Sequence, residues 1–224
     1  MMESNDIVFL FDVDNTLLDN DRIEEDIRSY FASSLSTRAA DRYFEIFEKL
    51  REELGYADYL GAVERYRIET PSEPRVLGIS SLLLDYPFAK RLYPGAIDAV
   101  KQAGKWGRPV ILSDGDAVYQ PRKVERAGLW DLFESRVLIY VHKEEMLEEV
   151  ERHYPAKHYV MVDDKLRILS AIKRIWGKRV TTVFVMQGRY GKDPELPDRY
   201  PAADVQLEHI GNLIDYNQAA FLRG

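Results

Sequence analysis

Five short runs of apolar, largely β-branched residues punctuate the chain: Ile7–Phe11, 110–112, 137–141, 159–162 and Val180–Val185, with Val205–Leu207 as a weaker sixth. Runs of this length without polar alternation are the pattern of strands covered on both faces. From about residue 90 onward, stretches with helical spacing lie between them, including Ala96–Trp106, 144–153 and Leu166–Trp176. Strand and helix in alternation predict an α/β architecture, a doubly wound parallel sheet.

The interval between the first two strands, from about residue 17 to residue 90, is too long for a single crossover. It predicts a helical insert at 17–89 in a core made of 1–16 and 90–224. Tyr43, Phe44, Ile46, Phe47, Leu50 and Leu54 fall on one helical face, and Tyr59, Leu60, Val63 and Tyr66 continue the periodicity. Thr70-Pro71-Ser72-Glu73-Pro74 interrupts the helices, and Leu92-Tyr93-Pro94-Gly95 reads as the turn back to the core. The insert holds 9 basic and 15 acidic side chains, so it carries most of the chain's net charge of −7. That sign disfavours nucleic acid and anionic lipid as partners. No apolar run approaches the ~20 residues of a membrane-spanning helix, and the polar, acidic start lacks a secretory signal, so a cytoplasmic location is expected. The lack of cysteine excludes disulfides, thiolate metal sites and thiol nucleophiles. A small phosphorylated substrate is the expected partner, with the oligomeric state open.

In an open α/β sheet, ligands gather beyond the carboxyl ends of the strands. There the sequence places Asp12-Val13-Asp14-Asn15-Thr16, Ser113-Asp114-Gly115-Asp116, His142-Lys143 and Asp163-Asp164. Carboxylates converging on one cleft repel each other, and a hard divalent cation with oxygen ligands, Mg²⁺ above all, relieves that repulsion. Ser113 and Lys143 suit a phosphoryl group resting over the metal. Lys123 is a second candidate amine, but it falls in a predicted helix after Pro121 and is expected at the surface. His142, His153, His158 and His209 lack the spacing of a zinc site and read as structural or exposed.

The ordered set Phe11-Asp12-Val13-Asp14-Asn15-Thr16-Leu17, Ser113, Lys143 and Asp163-Asp164 resembles the four motifs of the haloacid dehalogenase-like (HAD) hydrolases. An insertion directly after the first motif resembles the family's helical-cap subclass. The resemblance implies that Asp12 is the nucleophile forming an aspartyl-phosphate and that Asp14 is the acid and base. It places Ser113, Asp114 and Lys143 around the phosphoryl group, with Lys143 also in the catalytic set. Mg²⁺ would sit on Asp12, the backbone carbonyl of Asp14, Asp163 and Asp164. Dehalogenases of the family lack an acid at the position of Asp14, because a departing halide needs no proton, so the resemblance implies an Mg²⁺-dependent phosphatase. A phosphomutase on the same core is the alternative. So is a non-catalytic signalling module similar to response-regulator receivers, although those place their acidic pair first rather than last. Two departures stand out: Asp114 replaces the more usual Asn before Gly115, and no further acid follows Asp163-Asp164 at the usual spacing. Either acid of that pair can be the direct ligand, and the strand alignment favours Asp164.

Overall fold

The structure, a computed structural model, describes residues 6–222. The first five residues of the expected core segment and the last two residues lie outside the described residues. Strand β1 (Ile7–Phe11) is wholly buried, and its alternation explains why. Ile7, Phe9 and Phe11 enter one hydrophobic core while Val8 and Leu10 enter a second, so successive side chains pack on opposite faces of the sheet. Between β1 and the next strand come four helices, α1 (Asn20–Ser34), α2 (Thr37–Leu54), α3 (Tyr59–Glu69) and α4 (Val76–Asp85), followed by α5 (Ala96–Trp106).

The rest of the chain alternates as its periodicity predicts: β2 (Arg108–Asp114), α6 (Tyr119–Arg126), α7 (Leu129–Leu132), β3 (Val137–Tyr140), α8 (Leu147–His153), β4 (His158–Asp163), α9 (Leu166–Trp176) and β5 (Val180–Val185). The one-turn helices α10 (Gly188–Gly191) and α11 (Leu196–Arg199) precede β6 (Val205–Leu207). All strand pairs are parallel, in the order β3-β2-β1-β4-β5-β6. Because the chain winds outward from β1 through β3 and then returns to β4 beside β1, a crevice opens at the carboxyl ends of the central strands. Phe11 pairs with both Ile111 and Val162, which brings the residues just beyond all three strands to one level.

The insert is a helical layer of its own. Asp19, Ser36 and Asp58 each accept a hydrogen bond from a backbone N–H in the first turn of α1, α2 and α3, the usual satisfaction of an orphaned donor. Phe31 stacks on Tyr43 at 4.3 Å and Phe47 lies 4.5 Å from Tyr59, tying α1 to α2 and α2 to α3. The chain enters and leaves the insert as a paired crossing, with Asp19 N donating to Arg91 O at 2.8 Å and Tyr93 N to Leu17 O at 2.9 Å.

Some local expectations differ from what is found. Leu54 is 39% exposed, because it sits in the last turn of α2 where the stripe has run past the core. The helix expected from residue 144 starts at Leu147, since Lys143–Glu145 forms a 3₁₀ turn. Among the described residues, no helix is long and apolar enough to cross a membrane.

Phe9 is fully buried among Phe11, Trp106 and Phe221, with ring centres 5.8–6.5 Å away. Phe9→Ala is expected to cost about 3–5 kcal/mol of folding stability, seen as a lower urea midpoint with an unchanged slope.

Candidate active site

The loop after β1 folds back on itself. Leu17 N and Leu18 N both donate to Val13 O at 2.9 Å, and Asn15 takes a left-handed conformation with φ of 59°, which Asn tolerates better than most residues. Gln187, buried beyond β5, donates from Nε2 to Thr16 O at 3.2 Å and accepts Ile210 N on Oε1 at 2.7 Å. This pins the loop from a distant part of the sequence. Asp12 is thereby held at the mouth of the crevice, 3% exposed, with its N–H on Val162 O at 3.0 Å.

Lys143 reaches the same point from the end of β3. Its fully buried ammonium lies 2.5 Å from Asp12 Oδ1 and forms an ion pair with Asp163 Oδ2 at 2.7 Å. Its backbone N–H donates to Asp114 Oδ1 at 2.8 Å. Burial would lower the lysine's pKa, but Asp12, Asp163 and Asp114 outweigh it and hold the group well above the ordinary range. Ser113 Oγ sits 3.5 Å from Asp12 Oδ1, too far for a strong hydrogen bond. It accepts Gln120 Nε2 at 3.0 Å and donates to the Asp114 carbonyl oxygen at 3.3 Å.

Asp12, Asp163 and Asp164 each offer a carboxylate oxygen within 4.8 Å of the others. Asp163 Oδ1 accepts Lys165 N at 2.8 Å. Asp164 is fully buried and neither of its oxygens has a hydrogen-bond partner. Burial, and then the charges of Asp163 and Asp12, push the Asp164 carboxyl well up, and burial does the same to Asp163. Leaving both oxygens of a buried carboxylate bare costs several kcal/mol, and a hard divalent cation with oxygen ligands is what this donor set fits.

Of the acids singled out from sequence, Asp12, Asp163 and Asp164 are brought together around Lys143, with Ser113 and Asp114 alongside. The Asp14 side chain is not part of that cluster. It is gripped instead by Lys123, whose Nζ lies 2.7 and 2.9 Å from its two oxygens and 3.0 Å from Asn20 Oδ1. Lys123 was expected at the surface, yet it is fully buried, its ammonium 5.2 Å from the ring centre of Tyr119. The signal was present: Tyr119, Gln120, Lys123 and Val124 form one helical stripe, and all four are buried. A lysine on the inward face of a helix next to an acidic loop has only a carboxylate to pair with. Gln120 and Gln187 were also missed, since a lone amide carries no spacing signature.

Over these groups lies a cavity of 640 Å³ whose walls come from both layers, with Asp14 and Asp114 on the core side and Phe47, Arg51 and Tyr59 on the insert. Gly55, at φ of 80° after α2, lets the insert touch the core: a Cβ there would stand 2.6 Å from the His142 ring.

The family model for haloacid dehalogenase-like hydrolases matches residues 8–175. A crystal structure described as a haloacid dehalogenase-like hydrolase from Burkholderia xenovorans LB400 aligns with a TM-score of 0.91 at 57% identity, over 96% of this chain and 98% of that one. The L-2-haloacid dehalogenase of Xanthobacter autotrophicus, solved with chloropropionic acid covalently bound, aligns at 0.61 and 16% identity over 93% and 96% of the two chains. The hydrolase YfnB of Bacillus subtilis, solved bound to magnesium, aligns at 0.63 and 16% over the same shares. At such identities the last two show a shared fold. No curated protein matches the chain.

The bare oxygens of Asp164 predict a stability penalty that depends on pH. The folded-state pKa is raised above the unfolded value, so the metal-free protein loses stability as pH rises through the folded value. In the presence of a chelator, Asp164→Asn is expected to stabilise the fold by about 1–3 kcal/mol at about pH 8, a gain that is smaller at about pH 5 because the wild-type carboxyl is progressively protonated as pH falls. Urea unfolding at the two pH values measures it.

Proposed function

Since the chain belongs to the haloacid dehalogenase-like hydrolases, we propose that this hydrolase is a Mg²⁺-dependent phosphatase, acting on a small phosphorylated metabolite through an aspartyl-phosphate on Asp12. The observation that carries the reading is Asp164, a buried carboxylate with two bare oxygens beside Asp12 and Asp163. Displacing a halide from carbon needs one nucleophile, no cation over the leaving group and no proton donor. A triad of buried acids with Asp14 as a fourth is costly to bury, and beyond a nucleophile and one base to hydrolyse the resulting ester such a reaction has no use for them. Phosphoryl transfer uses all four. The magnesium in the YfnB structure supports the same choice.

Asp12 would attack phosphorus with one carboxylate oxygen, forming an acyl phosphate as the ester oxygen departs. Lys143 stands against that carboxylate and is placed to neutralise the phosphoryl oxygens, with the Ser113 hydroxyl donating beside it. Asp114, among the expected phosphate contacts, would act through Lys143, whose N–H it accepts, since an anion facing the phosphoryl oxygens repels them. Mg²⁺, held by Asp12, the Asp14 carbonyl and the Asp163-Asp164 pair, supplies charge neutralisation when bound. Asp14 would protonate the departing alcohol and then take a proton from the water that hydrolyses the acyl phosphate. Lys123 is the positioning residue for it, fixing both oxygens of its carboxylate. The insert closes the cavity and limits water around the acyl phosphate.

Phosphate release should be screened over sugar phosphates, nucleotides and phosphorylated acids, with and without Mg²⁺. At least one class is expected to turn over, with loss of release on chelation and a fall of about 10³-fold or more in Asp12→Asn. Metal-independent release, an active Asp12→Asn protein, or halide release from 2-chloropropionate without any phosphate release would overturn the reading.

A further inference from the structure

The cavity over the acids has a cationic side that the proposed chemistry does not use. Five Lys and Arg side chains with access to the cleft, apart from those at the reacting centre, line it: Arg51, Lys165, Arg167, Arg189 and Arg199. Three of them are already committed. Arg167 pairs with Glu144 at 2.5 Å, Arg189 with Glu24 at 2.7 Å, and Arg199 with Glu195 one helical turn away. Two are not. Arg51 has only Glu48, an exposed neighbour on the same helix at 3.3 Å, and such a pair is worth little. Among the described residues, no carboxylate lies within 4.0 Å of the Lys165 ammonium.

These two cations come from opposite layers, Arg51 from α2 of the insert and Lys165 from the end of β4, yet they meet at one ring. The Lys165 nitrogen lies 5.4 Å and the Arg51 guanidinium 5.6 Å from the centre of Tyr190. Arg51 Nη2 donates to the Tyr190 hydroxyl, so the tyrosine braces the arginine in the cleft. The charge of Lys165 is balanced at a distance by Asp164, Asp12 and Asp163, and by Asp114 on the same cavity wall. Asp12, Asp163 and Asp164 would be shared with Lys143 and one divalent ion, so Asp114, already tied to the Lys143 N–H, is the remaining acid that Lys165 faces. Asp14, the group proposed to protonate the leaving group, lines the same cavity, so the leaving group occupies it.

Building on the phosphatase reading, we infer that the leaving group of the substrate carries a second anionic group, a carboxylate or a second phosphate, held between Lys165 and Arg51 beside Tyr190. A neutral alcohol would leave both cations at the Tyr190 ring with no anion of the substrate to meet them. The planar guanidinium of Arg51 offers two parallel donors to either anion.

Non-hydrolysable phosphonates test this without turnover. Benzylphosphonate, 4-carboxybenzylphosphonate and 1,4-phenylenebis(methylphosphonate) are titrated by calorimetry into the Mg²⁺-loaded full chain. At least one doubly anionic ligand is expected to bind about tenfold more tightly than benzylphosphonate, as suits one charge-assisted contact, and the larger gain identifies the carboxylate or the phosphate as the preferred group. That gain should fall to about twofold or less in Arg51→Met and in Lys165→Met, and persist in part in Arg51→Lys. The two variants lie on separate elements, and urea unfolding verifies that each is folded. No gain in the wild type, an undiminished gain in both Met variants, or no binding of any phosphonate overturns the subsite. Selective binding together with no hydrolysis of any phosphate ester would instead sink the phosphatase reading and leave the subsite standing.

Discussion

One buried ammonium holds the centre of this molecule together. Lys143 stands between Asp12 and Asp163, residues from the ends of two adjacent strands, and its backbone is tied to Asp114 at the end of a third. Without it, three inward-facing carboxylates would repel one another in a medium that screens charge poorly. With it, the cluster carries a residual negative charge, which is the condition for binding a divalent cation rather than excluding one. The same contact sets the local backbone, since the chain takes a 3₁₀ turn at Lys143 before α8 begins.

That arrangement is possible because the sheet is parallel and covered on both faces. Alternate residues of β1 enter different cores, so the strand has no polar face to spare and all its chemistry is pushed to its carboxyl end. The order β3-β2-β1-β4-β5-β6 then places the loops after β1 and β4 side by side. Asp164 shows the consequence for stability: it sits where folding alone would not place a carboxylate, bare on both oxygens.

The helical layer adds the other half of the site. Arg51, Tyr59 and Gly55 approach the core from the insert; the chain passes between the two layers at the paired crossing of residues 17–19 and 91–93, and Lys123 on Asn20 and Arg51 on Tyr190 tie them elsewhere. The charged floor thus comes from the core and the roof from the insert. The floor bears on the type of bond broken. The roof carries Arg51, braced on Tyr190, a cation assigned to the proposed anionic subsite.

The sequence by itself determined the parallel α/β core, because strands buried on both faces and helices of period 3.6 are local patterns that survive in one dimension. It also brought the acids of the site into view, since each directly follows an apolar run and the sheet's direction carries all such ends to one edge. The stripe of α2 and α3 was legible for the same reason, whereas α1 and α4 were not, their apolar positions being sparser or interrupted by Gly and Ser. Which side chains actually touch was decided by the tertiary structure alone. Lys123 lies 109 positions from Asp14 and Arg51 lies 139 from Tyr190, and no spacing rule links residues so far apart. A charged side chain reads as solvated until the fold encloses it, and only then does its need for a counter-charge reveal its partner.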